Sequence, residues 1–211
     1  MLQNMVGYSI VPVDGLVMWK GNPVKRSEIS TDALEESISN DGILQPLTVI
    51  GNLVIDGNRR LRIANKLGIS RVHVISHPKD TDPVRLAVIL NTTGKSWDVQ
   101  SMAQIAANHS GAIEYMGSKS NRGLIRKCMR VMGSQFKKFV DKYSVSTHFA
   151  YAYRAAKFLE EGKNDEFIRK TAWWCGKHSM TTLLRDGMYD GRINKKALRS
   201  RIENDEPLTI G

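Results

Sequence analysis

The stretch Gly42-Ile43-Leu44-Gln45-Pro46-Leu47-Thr48-Val49-Ile50-Gly51-Asn52-Leu53-Val54-Ile55-Asp56-Gly57-Asn58-Arg59-Arg60-Leu61-Arg62 decides how this chain folds. Two apolar runs rich in β-branched residues, Leu47–Ile50 and Leu53–Ile55, flank Gly51-Asn52, which is the composition of a two-residue hairpin turn. Behind the hairpin, Asp56-Gly57 breaks the strand, and Asn58 is placed to cap a helix with Leu61, Ala64 and Leu67 spaced three apart, closed by Gly68. Arg59 and Arg60 fall in the first turn of that helix. Cations there oppose the helix dipole unless an anion is close, so free backbone N–H groups and two guanidinium groups converge where a phosphate is favoured. The plain alternative is a solvated first turn, or arginines paired with a local carboxylate such as Asp56.

Outward from this core, Tyr8–Val13 alternates weakly and reads as a first strand, and Asn22-Pro23-Val24-Lys25-Arg26 is extended because proline disfavours helix before it. Thr31 or Asp32 can cap a helix with Leu34 and Ile38 on one face, Glu35 completing a capping box, and Gly42 suits the left-handed residue that ends it. Val72–Ile75 is another strand. Asp82-Pro83 opens a further helix through Leu90, with proline at its tolerated first position. Strands mixed with helices around a hairpin predict an α+β arrangement over residues 1–95.

The remaining residues, 96–211, read as mainly helical. Asp98 caps one helix, and Ser118–Asn121 starts another with Leu124, Ile125, Cys128, Met129 and Met132 inside and Arg122, Arg126, Lys127 and Arg130 outside. Phe136–Tyr143, the turn Ser144-Val145-Ser146 and the helix to Leu159 have the outline of a helix-turn-helix. Phe167, Trp173 and Trp174 lie in a helix over Asp165–Lys177 and read as core, with base stacking as the other use of such rings. Arg192–Arg201 forms a basic helix, and Glu203 onward is expected to fray.

Charge divides the two parts. Residues 1–95 hold 11 Lys/Arg and 9 Asp/Glu, whereas residues 96–211 hold 20 and 12, and the whole chain of 211 residues carries a net +10. Between Lys119 and Lys142 eight basic residues meet only Asp141, leaving few acidic partners along the helix. Lys119, Arg122, Arg126, Lys127, Arg130, Lys137 and Lys138 are the candidate contacts to a polyanion, with DNA the first partner in view and salt-sensitive affinity the expected signature. No apolar run of the roughly 18 residues needed for a membrane span occurs, and the N-terminus has no secretory pattern, so the cytoplasm is expected. Cys128 and Cys175 form no CxxC pair and are read as free thiols. His73, His109, His148 and His178 lack ligand spacing, so no metal site is expected from the protein alone.

Asn22-Pro23 with Arg26, Leu34 and Ser37-Ile38, Gly42 with Gln45-Pro46, and Gly57-Asn58-Arg59-Arg60 follow the order found at the N-terminus of ParB-type partition proteins. Residues 8–95 resemble the ParB/sulfiredoxin-like superfamily. The resemblance implies that Gly57, Asn58, Arg59 and Arg60 surround the phosphates of a nucleotide, CTP or ATP with Mg2+, while Gly42, Gln45 and Pro46 shape the neighbouring wall. It further implies a DNA-binding protein in which nucleotide switches a homodimeric clamp. Asn58 stands where the family has glutamate, and of its third box Leu90-Asn91-Thr92-Thr93-Gly94 retains only Asn91, so a carboxylate and an arginine are missing. Relatives of phage or mobile-element type join the same fold to a helical segment. The alternative readings are a ParB-fold enzyme, whether a nucleotide-dependent kinase, weak NTPase or DNase using Asp56 or Glu36, and a phage-encoded adaptor that inhibits a host protein.

Overall fold

The computed structural model describes residues 6–21, 32–92 and 97–209. Its contacts divide the chain into two compact units, Met1–Lys95 and Ser96–Gly211. The extended stretch expected at Asn22–Arg26, the Thr31 cap, and Thr93-Gly94 lie outside the described residues.

In the first unit, β1 (Gly7–Pro12), β2 (Val17–Met18), β3 (Leu47–Ile50), β4 (Leu53–Asp56) and β5 (Arg71–His77) form one mixed sheet in the order β1-β5-β3-β4-β2. β3 and β4 are the antiparallel hairpin, closed at Ile50 opposite Leu53 with Gly51 at φ +62°. β3 runs parallel to β5, and the intervening β4 and a helix supply the long connection that parallel neighbours need. The two-residue β2, parallel to β4, has no pattern that reveals it in the sequence.

Successive strand residues face opposite sides of a sheet. Val54 and Ile55 are both fully buried, so β4 must be covered on both faces. On one side Val54 joins Leu47, Val49, Val72 and Val74 against Leu61 and Ala64 of α2 (Asn58–Lys66). On the other, Ile55 packs with Leu86 and Ala87 of α3 (Pro83–Thr92). α3 starts as expected, with Asp82 Oδ1 accepting from the Val84 and Arg85 amides. α1 (Asp32–Asp41) packs against α2, and Glu35 forms an ion pair with Lys66 at 2.6 Å. Leu67, expected on the buried stripe of α2, is exposed: the helix ends at Lys66, and Ile63 takes the buried position.

The second unit is helical: α4 (Val99–Asn108), a 3₁₀ segment Ser110–Tyr115, α5 (Lys119–Met132), α6 (Phe136–Lys142), α7 (Ala150–Phe158), α8 (Asp165–Lys177), α9 (Thr181–Tyr189) and α10 (Lys195–Asn204). Asp98, Ser118, Asn164 and Asn194 each cap the helix that follows by accepting a backbone N–H, which supplies one of the donors a helix start leaves unpaired. Ile125, Met132, Phe139, Phe149 and Trp174 are buried in its core. Cys128 and Cys175 are free and buried, and burial pushes both thiols up. The segment after Glu203 is anchored, contrary to the expected fraying. Trp174 Nε1 donates to the Glu206 carbonyl at 2.7 Å and Leu208 is buried. No helix among the described residues is long and apolar enough to cross a membrane.

Candidate functional site

The turn between β4 and α2 places Gly57 at the N-cap with φ +99° and ψ 15°. Residues with a Cβ avoid this left-handed conformation, so glycine is required here. No side chain caps the helix, and its first turn contains no acidic residue. Asn58 therefore does not fill its expected role as cap. It is the first helical residue, and its Oδ1 is buried without a hydrogen-bond partner. Backbone N–H groups at an uncapped helix start, with Arg59 beside them, remain a favourable setting for an anion.

The two arginines have different surroundings. Arg60 turns inward. One of its terminal nitrogens donates to the carbonyls of Gln45 at 2.5 Å and Pro46 at 2.8 Å, while the other pairs with Asp56 Oδ2 at 2.8 Å. Its side chain is only 15% exposed. The guanidinium fork thus ties the Gln45-Pro46 turn to the Asp56-Gly57 turn, and the local carboxylate named among the sequence alternatives is the one it uses. The Asp56–Arg60 spacing of four across a helix start was the visible signal. Arg59 is half-buried in the same first turn. Gly42, at φ +74°, follows α1 and leads into Gln45 and Pro46. Gln45, Pro46, Gly57 and Arg60 are brought together as one unit, with Asn58 and Arg59 beside it.

For an enzyme, the candidate carboxylates are Asp56 and Glu36. Asp56 is held by Arg60, and Glu36 is exposed on α1. Asn91 folds back within α3, its Nδ2 donating to the Ala87 carbonyl at 2.7 Å. Among the described residues no three His, Cys, Asp or Glu side chains gather where they could hold a metal ion. The donors present fit phosphate oxygens; a magnesium ion would have to be held chiefly by those oxygens and water.

The ParB N-terminal domain family model matches residues 8–92. The first unit is a ParB-type N-terminal domain. Three solved structures are similar to the chain. The C-terminally truncated chromosome-partitioning protein ParB of Caulobacter crescentus, in complex with CTP-γ-S, is 15% identical, with 84% of this chain and 98% of that one covered and a TM-score of 0.39. A C2221 form of a Pnob8-like ParB-N domain is 14% identical, covering 96% and 91%, with a TM-score of 0.43. A pNOB8-like ParB N-domain is 14% identical, covering 97% and 78%, with a TM-score of 0.42. No curated protein matches the chain. The ParB-type unit is α+β, as expected, and a helical region follows it.

Within the helical unit the candidate DNA-contacting side chains meet more partners than their sequence neighbourhood suggests. Arg126 lies 2.6 Å from both carboxylate oxygens of Glu114, and the guanidinium holds that carboxyl below its usual range. Arg130 pairs with Asp165, Lys137 donates to Asn108 Oδ1 at 2.6 Å and lies 4.0 Å from Asp141, and Lys127 stands 3.8 Å above the Tyr153 ring. Arg122 donates to the Glu114 carbonyl at 3.1 Å. Lys119 and Lys138 are exposed. The expected shortage of acidic partners is corrected here: Glu114 and Asp165 come from other segments, where helical spacing cannot reveal them. The Arg126 and Arg130 pairs are exposed and screened by solvent, so each is weak and a phosphate can replace the carboxylate. The segment expected as helix-turn-helix forms α6, a π-helical turn at Val145–Phe149, and α7.

Proposed function

We propose that this chain is a ParB-like DNA-binding protein whose N-terminal unit takes a nucleoside triphosphate, CTP or ATP, at the Gly57 turn. The observation that carries this reading is the uncapped α2 N-terminus, with Gly57 at φ +99° and arginine in the first turn, inside a ParB-type domain. Arg59 and the α2 backbone N–H groups hold the phosphates. Arg60 positions the site by fixing the Gln45-Pro46 wall against the Gly57 turn. Magnesium would join through the phosphate oxygens and neutralise their charge.

The outer side of α5, with Lys119, Arg122, Arg126, Lys127 and Arg130, contacts the DNA backbone, and Lys137 and Lys138 of α6 add to it. Contacts of this kind are largely independent of base sequence and weaken as salt displaces the protein from its phosphates. Nucleotide acts as a switch between DNA-engaged states, with a homodimer as the assembly that responds to it. The cytoplasm is the proposed compartment.

A gel-shift titration of duplex DNA, with and without CTP, ATP and magnesium, tests the reading. Binding should fall by roughly tenfold or more between 50 and 200 mM salt and should fail when Arg126, Lys127 and Arg130 are all alanine. Salt-insensitive binding, or a triple variant that binds normally, refutes the α5 assignment. Failure to bind DNA or nucleotide, with a host protein captured stoichiometrically, favours the adaptor.

A further inference from the structure

The adjacent tryptophans of α8 have different environments. Trp174 is core, 2% exposed, and its indole N–H is satisfied by the Glu206 carbonyl. Trp173 is half-buried and lines, with Tyr143, a pocket of about 450 Å3 bordered by α6, α8 and α10. That volume is in the range of small-ligand sites. Lys142, Lys170 and Lys177 stand around it, and Asp205 is the carboxylate among its lining residues, which leaves the lining at net +2.

We propose that this pocket binds a nucleotide unit, its base against the Trp173–Tyr143 wall and its phosphate at the lysines. The wall is fixed in advance. Trp173 meets Phe139 and Tyr143 edge-on, with ring centroids 5.4 Å and 5.6 Å apart. Tyr143 can lie against α8 because residue 176 is glycine, where a Cβ would meet its ring at 2.6 Å. The rim is cationic and held by weak contacts. Lys170 Nζ donates to the Glu203 carbonyl at 3.0 Å, and Lys177 and His178 both reach the Asp205 carboxylate. An exposed pair such as Lys177–Asp205 gives way readily to a phosphate. Flat aromatic rings beside ammonium groups suit a base carrying a phosphate, since stacking accepts every base and the charge accepts every phosphate. None of these residues belongs to the Gly57 turn or to the α5 face, so the site is independent of both.

The same chemistry is presented by a free mononucleotide and by the 5′-phosphorylated end of a strand. The test follows the indole N–H resonances of the four tryptophans in the full chain, with Trp173 assigned through Trp173→Phe, during titration with cytidine 5′-monophosphate, a short 5′-phosphorylated single strand, and inorganic phosphate. The Trp173 resonance should shift saturably with the nucleotide probes, about fivefold or more tighter than with phosphate because stacking adds to the charge. Saturation by the mononucleotide supports a free ligand; saturation by the strand alone supports a strand end. Lys177→Ala or Lys170→Ala should weaken binding several-fold. Asp205→Asn should tighten it, and asparagine tolerates the positive φ of 58° at that position. Arg59→Ala should leave the shift unchanged. The proposal is overturned by the absence of a shift, by phosphate matching the nucleotide, by weaker binding in Asp205→Asn, or by loss of the shift in Arg59→Ala.

Discussion

Replacing Arg60 with alanine separates architecture from ligand binding at the Gly57 turn. The substitution removes an ion pair to Asp56, whose side chain is 35% exposed, and hydrogen bonds to two backbone carbonyls. Solvent screening limits the ion pair to about 1 kcal/mol. The two carbonyl bonds contribute about 0.5–1.5 kcal/mol each, so the loss is about 2–4 kcal/mol. For a unit of this size that corresponds to a fall on the order of 15 °C in melting temperature. Denaturant unfolding of the full chain, read by hydrogen exchange at the β3 and β4 amides, reports this unit by itself. Arg60→Lys should recover part of the loss, because one ammonium group cannot span all three acceptors. Asp56→Ala should cost less in the Arg60→Ala background than in the native chain, by about 1 kcal/mol. If Arg60→Ala unfolds within 0.5 kcal/mol of the native chain, the clamp contributes nothing and the reasoning fails. Unchanged stability with abolished nucleotide binding would make Arg60 a phosphate ligand.

Other substitutions test the remaining structure. Gly57→Ala should cost about 2–3 kcal/mol by denaturant unfolding, because alanine is strained at φ +99° and its Cβ would lie 3.0 Å from Leu47 Cγ. Asp98→Ala removes the cap on the Ser101 amide and should cost about 1 kcal/mol by the same measurement. Gly176→Ala should destabilise the helical unit by about 1–3 kcal/mol less a helix-propensity gain of up to about 1 kcal/mol, since the new methyl meets Tyr143. Burial lowers the folded-state pKa of His148 from the ordinary histidine value of 6.5. The unfolded chain then binds the proton more readily, so stability is present above that value and is lost as pH falls through it toward the lower folded pKa. Melting curves between pH 7.5 and 5 should show this slope, reduced in His148→Gln.

The hairpin, the Gly57 turn, the cap at Asp98 and the helix starts at Asp82 and Ser118 were legible because each depends on residues within four positions of one another. β2 was not, since two residues cannot display a period. Asn58 was misread as a cap because Asx residues favour that position, whereas here the left-handed backbone demands that glycine occupy it. The Asp56–Arg60 pair was visible as a spacing, but the Gln45 and Pro46 carbonyls that complete the clamp arrive through the sheet. Glu114 and Asp165 were invisible as partners of α5 because other segments of the helical unit deliver them. Trp173 and Trp174 are neighbours in sequence with opposite surroundings, and only the packing of α10 tells them apart.

The most direct test of the central claim is calorimetric titration of CTP and ATP, with magnesium, into the full chain and its Arg59→Ala variant. The proposed phosphate site predicts saturable binding that weakens tenfold or more in Arg59→Ala while the β3–β4 amides keep their protection. Absence of binding, or equal affinity in the two proteins, would contradict it.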